Sequence, residues 1–173
     1  MCNNASHRSG DDVAITLAIM ASCPGRFEEQ QFRPLAMVSG RNVRNALPML
    51  QIRFGIQLFP SLVLEDYTLT NAWPNIEYPA LTGRTEATEA EVLDPANLNR
   101  IRALTLNQGV TRFLALGKRA AAAVYAIGPV YHIRGPHPSN QCLNRKFVSN
   151  NALLDGRKSD RMQQWVNILV VTP

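Results

Sequence analysis

Residues 13–20, VAITLAIM, form an unbroken apolar run that stops just before a Pro-Gly break at Pro24-Gly25. A strand that alternated with solvent would alternate in polarity; a run without alternation suits a strand covered on both faces. A chain that contains such a strand must place layers above and below it. Three further short segments fit the same part: residues 62–70, residues 111–116 (TRFLAL) and residues 130–133. Helical patterns separate them. Ser39 can cap a helix that puts Val43, Ala46, Leu47 and Leu50 on one face. Asp94-Pro95 supplies a cap and a first-turn proline before Leu98, Ile101 and Leu104. Gly117-Lys118 opens an alanine-rich helix that runs to about Gly128. Residues 157–171 read as a terminal helix, with residues 168–171 also able to form a strand. Residues 74–94, rich in Pro, Thr and Glu, read as a long excursion.

Strands alternating with helices imply parallel βαβ units with right-handed crossovers, hence helices on both faces. The expectation is an α/β fold: a three-layer α/β/α sandwich around a central four-stranded, mostly parallel sheet. A chain of 173 residues suits one domain, read as residues 13–173 behind a polar, flexible tail at residues 1–12. In such sheets ligands gather beyond the carboxyl ends of the strands. The segments leaving those ends are 21–29, 71–75, 117–119 and 135–145.

Composition narrows the function. Apolar residues make up 46 % of the chain, enough for a packed core, yet no apolar run reaches the length of a membrane span. The polar start carries no apolar signal-peptide core, so the expected location is cytoplasmic, with no membrane partner. Cys2, Cys23 and Cys142 are scattered and include no CxxC pair, which argues against a disulfide framework, a metal site or a thiolate-bound cluster; no cofactor is expected. Charge is unevenly distributed. Residues 1–99 hold seven Lys/Arg against eleven Asp/Glu, and residues 100–173 hold eleven against two. The second part therefore offers cations suited to a phosphate backbone. Neither GxGxxG nor GxxxxGK[ST] is present, which weighs against a nucleotide-binding or small-molecule α/β enzyme.

Four motifs stand in order along this pattern. The first is Ala21-Ser22-Cys23-Pro24-Gly25, followed by Glu28, Arg33-Pro34-Leu35 and Ser39-Gly40. The second is Thr70-Asn71-Ala72. The third is residues 113–120, FLALGKRA. The fourth is His137-Pro138-Ser139. Together they resemble the uracil-DNA glycosylase superfamily, especially its bacterial and archaeal branches, over about residues 13–147. The resemblance implies a monofunctional DNA glycosylase, a hydrolase that rotates a pyrimidine nucleotide out of DNA and hydrolyses its N-glycosidic bond to leave an abasic site. The implied partner is DNA and the expected state is a monomer. No lysine occupies a motif position suited to Schiff-base chemistry, so lyase activity is not expected.

The residue chemistry agrees with those roles. A base inside a duplex must leave the stack before chemistry can reach it. The Asn71 amide offers a donor and an acceptor to a base edge, with Cys23, Pro24, Gly25 and Leu35 as base-contacting neighbours. His137 can donate a hydrogen bond to the base oxygen on which charge grows as the bond breaks. Ser139 suits a phosphate, and Leu143 or Arg145, in QCLNRK, can fill the space that the base vacates. Lys146 and Lys118 are candidate phosphate contacts. His132 reads as structural.

The sequence also departs from the family pattern. Ser22 and Cys23 stand where relatives carry Asp, Asn or Glu to position the attacking water. Ser22 can hold a water, and Glu28 or Glu29 can supply a substitute carboxylate. Leu35 replaces the Phe that stacks on the base, with Phe27 or Phe32 as possible substitutes. The small residues at 22, 23 and 25 favour a bulky modified pyrimidine, as in phage DNA, over uracil itself. Antiviral defence and ordinary uracil repair are both compatible roles. The missing carboxylate also leaves open a catalytically silent relative that binds DNA or a flipped base without cutting.

Overall fold

The computed structural model describes residues 14–31 and 33–172. The expected tail at residues 1–12, with Cys2, and also Phe32 lie outside the described residues. In chain order the elements are β1 (Leu17–Ala21), α1 (Arg26–Gln31), α2 (Val38–Phe54), β2 (Thr68–Asn71), α3 (Pro79–Thr82), α4 (Glu89–Val92), α5 (Pro95–Leu104), β3 (Arg112–Leu116), α6 (Lys118–Ile127), β4 (Tyr131–Gly135), α7 (Asn140–Lys146), α8 (Leu154–Asn167) and β5 (Val170–Thr172). Among the described residues no helix is long and apolar enough to cross a membrane.

The sheet has five strands in the order β2-β1-β3-β4-β5. The first four are parallel, and β5 pairs antiparallel with β4, Ile133 opposite Val171. The expected four-stranded sheet is thus one strand short. The chain after α8 turns back along β4 instead of continuing as helix, because a helix extended through Val170 and Val171 would leave the outer edge of β4 unpaired. The second strand is shorter than expected: residues 64–66 form a 3₁₀ turn and pairing starts at Thr68.

Both faces of the sheet are covered, as the continuous apolar run of β1 requires. Leu17, Ile19 and Ala21 alternate with Ala18 and Met20, and each set enters a different core. On one side Leu17, Ile19, Leu114 and Ile133 pack with Val43, Leu47 and Leu50 of α2 and Met162, Trp165 and Val166 of α8. On the other, Ala18, Met20, Phe113 and Ala115 pack with Val92 of α4, Ile101 of α5 and Ala120, Ala123 and Val124 of α6. The architecture is therefore α/β/α in three layers.

The helix starts follow local chemistry. Asp94 caps α5, its carboxylate accepting from the amides of Ala96 and Asn97, with Pro95 at the first helical position. Helix α2 begins at Val38, one residue before Ser39, and no side chain caps it. A Thr88–Glu91 capping box starts α4 inside the excursion, which is more ordered than its composition suggests. Strand order reverses about β1: the chain leaves β1 to build β2 on one side and returns to build β3 on the other. The crevice outside the carboxyl ends at such a reversal is where this class of sheet takes ligands.

Candidate functional site

Hydrogen bonds between loops stitch the strand exits together. The amide of Ala72 donates to the carbonyl of Ala21 at 2.8 Å, that of Trp73 to Ser22 at 2.9 Å, and that of Glu77 to Pro24 at 2.9 Å. The exit of β2 is thereby laced to the first motif, and Asn71 lies in register with Ala21. From below, Arg100 donates to the carbonyl of Asn71 at 2.9 Å and Asn97 to that of Ala72 at 2.8 Å. The exits of β3 and β4 meet where the Gly117 amide donates to the Gly135 carbonyl at 2.7 Å. Gly117 holds a φ of 99°, and a Cβ there would come to 3.6 Å from that of His137, so the β3 turn and the imidazole are immediate neighbours.

A cavity of about 320 Å³ opens at these exits, lined by Ser22, Cys23, Gly25, Arg26, Phe27, Glu28, Leu35, Met37, Val38, Ser39, Glu77, Thr85, Glu86 and His137. That volume falls at the low end of the ~300–1,000 Å³ typical of small-ligand sites. The turn at 22–25 and the imidazole at 137 therefore share one cavity. Asn71 does not line it but sits beside its wall, buried, at the end of the adjoining strand. A larger cavity, about 590 Å³, lies among α2, α7 and α8 and is lined in part by Asn42, Met49, Leu143 and Arg161. It collects none of the strand exits except through the base of the 136–140 loop, so the convergent chemistry belongs to the smaller one.

Polar satisfaction marks the same place. Among the described residues four buried side-chain atoms lack a hydrogen-bond partner: Ser22 Oγ, Asn71 Oδ1, Trp73 Nε1 and Arg119 Nε. Three of the four belong to the exits of β1 and β2. A buried polar atom without a partner costs about 1–3 kcal/mol, so a cluster of them at one edge of a sheet calls for an explanation.

The loop that carries His137 is gripped on both sides. Trp165 Nε1 donates to the Pro136 carbonyl at 2.8 Å, and Asn42 Nδ2 to the Pro138 carbonyl at 2.7 Å. Burial disfavours the charged imidazole and lowers the pKa of His137 to about 4, so the ring is neutral at neutral pH. His132 is buried and its Nδ1 lies 3.1 Å from the Val130 carbonyl, a structural contact.

Glu28 acts on the backbone. Its Oε2 accepts from the Gly25 amide at 2.6 Å and its Oε1 from the Leu35 amide at 2.7 Å. Burial raises its pKa. Leu35 holds a φ of 54°, unusual for a residue with a Cβ, and its side chain is buried in the cavity wall. Gly40 is fixed by the same turn, because a Cβ there would collide with the Leu35 carbonyl. Glu29 does not line the cavity; its Oε2 accepts from the Tyr78 hydroxyl at 3.4 Å. Cys23 is kept as a thiol, its pKa raised by burial, and its Sγ lies 3.8 Å from the Thr85 carbonyl. Phe27 stands exposed at the cavity rim.

Ser139 caps α7, accepting from the Cys142 amide at 3.2 Å. Leu143 does not project from that helix: it is 4 % exposed and packs in the core with α8. It is therefore not placed to enter a base stack, and of the two candidates for that part only Arg145 is exposed. The basic second part of the chain also resolves differently from a continuous cationic face. Seven of its eleven cations, Arg100, Arg102, Arg112, Arg119, Arg157, Lys158 and Arg161, are tied to carbonyls or side chains. Among the described residues no such partner is found for Lys118, Arg134, Arg145 and Lys146, and all four are exposed.

Glu77 is the buried carboxylate among the cavity residues that motif reading missed, which also include Arg26, Met37, Thr85 and Glu86. It is 4 % exposed, and Arg84 clasps it through Nε at 2.7 Å and Nη2 at 2.5 Å. Nothing in the composition of the 74–94 excursion set this carboxylate apart from Glu86, Glu89 or Glu91. Among the described residues no group of three His, Cys, Asp or Glu side chains is placed to hold a metal ion. No protein-family model matches the chain, and no curated protein is significantly similar to it.

Proposed function

We propose that the cavity receives a pyrimidine base rotated out of DNA and that the protein hydrolyses its N-glycosidic bond, in the manner of the uracil-DNA glycosylase superfamily that its motifs resemble. The observation that carries this reading is that His137 and Ser22, a buried hydroxyl, line one cavity, while Asn71, in register with Ala21 on the adjoining strand, holds a second unpartnered buried oxygen. A base edge brings both donors and acceptors, and its arrival would complete those bonds. In this reading Asn71 reads the base edge. His137, neutral and held by Asn42 and Trp165 through its neighbours, donates to the base oxygen as negative charge gathers there. A donor that strengthens with developing charge lowers the barrier, by about 3–4 kcal/mol in comparable cases.

The small side chains at positions 22, 23 and 25 favour a base with an added substituent. A Cβ on Gly25 would have only Glu28 Oε2, at 3.5 Å, near it, so the wall there has room. Lys118, Arg145 and Lys146, exposed and without partners among the described residues, are the candidates for DNA phosphates. Ser139 remains able to donate its hydroxyl proton while capping α7.

A second reading, a relative that binds a flipped base without cutting, is favoured by one observation: both oxygens of Glu28 already accept backbone amides. Oligonucleotide cleavage separates the two. Duplexes carrying uracil or a 5-substituted cytosine, incubated with the protein and then treated with alkali, break at the abasic site if the base is removed. His137→Ala should abolish breakage and leave duplex affinity nearly unchanged. Tight binding of the same duplexes with no breakage by the wild-type protein would favour the silent binder.

A further inference from the structure

Hydrolysis at a sugar carbon needs a group to hold the attacking water and a negative charge near the sugar as it becomes cationic. In the first motif, Ser22 and Cys23 provide no carboxylate, and Glu28 braces two amides. The cavity does contain two other carboxylates, Glu86, which is exposed, and Glu77, which is buried. Glu77 lines it, its side chain is 2 % exposed, and its own amide is tied to the Pro24 carbonyl at 2.9 Å. The excursion thus pins this residue to the first motif from outside it. Arg84 clasps Glu77 and also reaches Glu91 at 2.8 Å. Arg84 engages both oxygens of Glu77, which fixes the carboxylate against rotation and leaves each oxygen a lone pair for a water; two carboxylates share one guanidinium, so the trio keeps one net negative charge. On the wall of the same cavity Ser22, 6 % exposed, holds a hydroxyl that has the neighbouring Cys23 thiol beside it and no oxygen or nitrogen partner.

Building on the glycosylase reading, we infer that Glu77 and Ser22 together hold the water that attacks the sugar, with Glu77 as the acidic group that the first motif lacks. The C1′–N bond breaks and its electron pair leaves on the base, where His137 receives the charge through a hydrogen bond. The oxygen of water bonds to C1′, and its proton passes to the departing base or to solvent. Glu77 stays ionised throughout, since the clasp of Arg84 lowers its pKa. Its part is to orient the water and to stabilise the positive sugar electrostatically.

The test is single-turnover base release at saturating protein, from duplexes carrying one uracil or one 5-hydroxymethylcytosine, for the wild type, Glu77→Gln, Ser22→Ala, Arg84→Lys and His137→Ala. Glu77→Gln should slow release by about 100-fold or more, with duplex affinity and Tm close to wild type. Ser22→Ala should slow it by about tenfold, and the double variant by less than the product, because both groups hold one water. If Glu77→Gln does not fold, Glu91→Gln removes one charge of the trio from outside the cavity and should still slow release by about threefold or more. Release by Glu77→Gln at the wild-type rate, with His137→Ala inactive, would overturn this inference and leave the glycosylase reading standing. So would a loss of rate matched by equal losses of Tm and affinity in both Glu77→Gln and Arg84→Lys, which would make Glu77 a brace. No release by the wild type from either duplex would remove this inference together with the glycosylase reading it rests on.

Discussion

The side-chain amide of Asn42 donates to the carbonyl of Pro138 at 2.7 Å. It joins the first long helix of one outer layer to the loop beyond β4, so the position of His137 depends on a residue far earlier in the chain. Asn42 also donates to Asn140 at 3.0 Å, and Trp165 secures the other side of His137 through Pro136. Removing the buried amide leaves the Pro138 carbonyl unpaired.

Asn42→Ala should therefore destabilise the fold by about 1–3 kcal/mol, read by urea unfolding. Its effect on base release should exceed its effect on duplex binding, because the imidazole is displaced and the exposed cations are not. Trp165→Phe keeps most of the buried ring, loses the bond to Pro136, and should act in the same direction.

The turn between the first motif and α2 rests on Glu28, Leu35 and Gly40. Gly40→Ala forces a Cβ against the Leu35 carbonyl and should cost about 1–3 kcal/mol or more, since overpacking displaces backbone there. Glu28→Ala frees two partly buried amides and should destabilise by about 2–4 kcal/mol. Thermal unfolding of the two variants checks both values.

His137 makes stability depend on pH. An ordinary histidine takes up its proton near pH 6.5, whereas folded His137 does so only near pH 4. Between those values the unfolded chain binds the additional proton, so this contribution is complete above 6.5 and is lost as pH falls towards 4. The loss amounts to about 3 kcal/mol. His137→Gln should flatten the fall in unfolding free energy over that window; an unchanged slope would show that the ring is not held neutral.

Much of this was readable in the residues. The unalternating run at 13–20 dictated a sheet covered on both faces, and the capping and spacing around Asp94, Ile101 and Gly117 located helices α5 and α6. The turn at 22–25 and His137 were placed in one cavity because parallel strands bring their carboxyl ends together wherever they lie in the chain. What could not be read depends on tertiary contact. Residues 170–172 became a strand because β4 offered an edge, a property of the sheet and not of those residues. Leu143 turned inward because α8 covers α7, which no local pattern encodes. The clasp of Glu77 by Arg84 and the lacing of its amide to Pro24 arise within an excursion whose composition suggested only a loop. Most cations of the second part of the chain proved to be tied to carbonyls or side chains, which a count of charges cannot distinguish from a binding face.

Lys118, Arg145 and Lys146 are the proposed phosphate contacts that remain. Replacing all three by Gln should weaken duplex binding almost independently of sequence. It should also reduce the slope of log K against log salt by about 0.9 for each phosphate that is no longer neutralised. Fluorescence anisotropy over a range of salt concentrations measures that slope. An unchanged slope would place the DNA elsewhere on the surface.

A single cavity that receives a base and cuts it free should leave its product in solution, where mass spectrometry of the small molecules released from bacterial and phage DNAs detects it. The wild-type protein should release a free pyrimidine base and leave a matching abasic site, and His137→Ala should release none. Release of no base from any DNA, or equal release by His137→Ala, would contradict that role for the cavity.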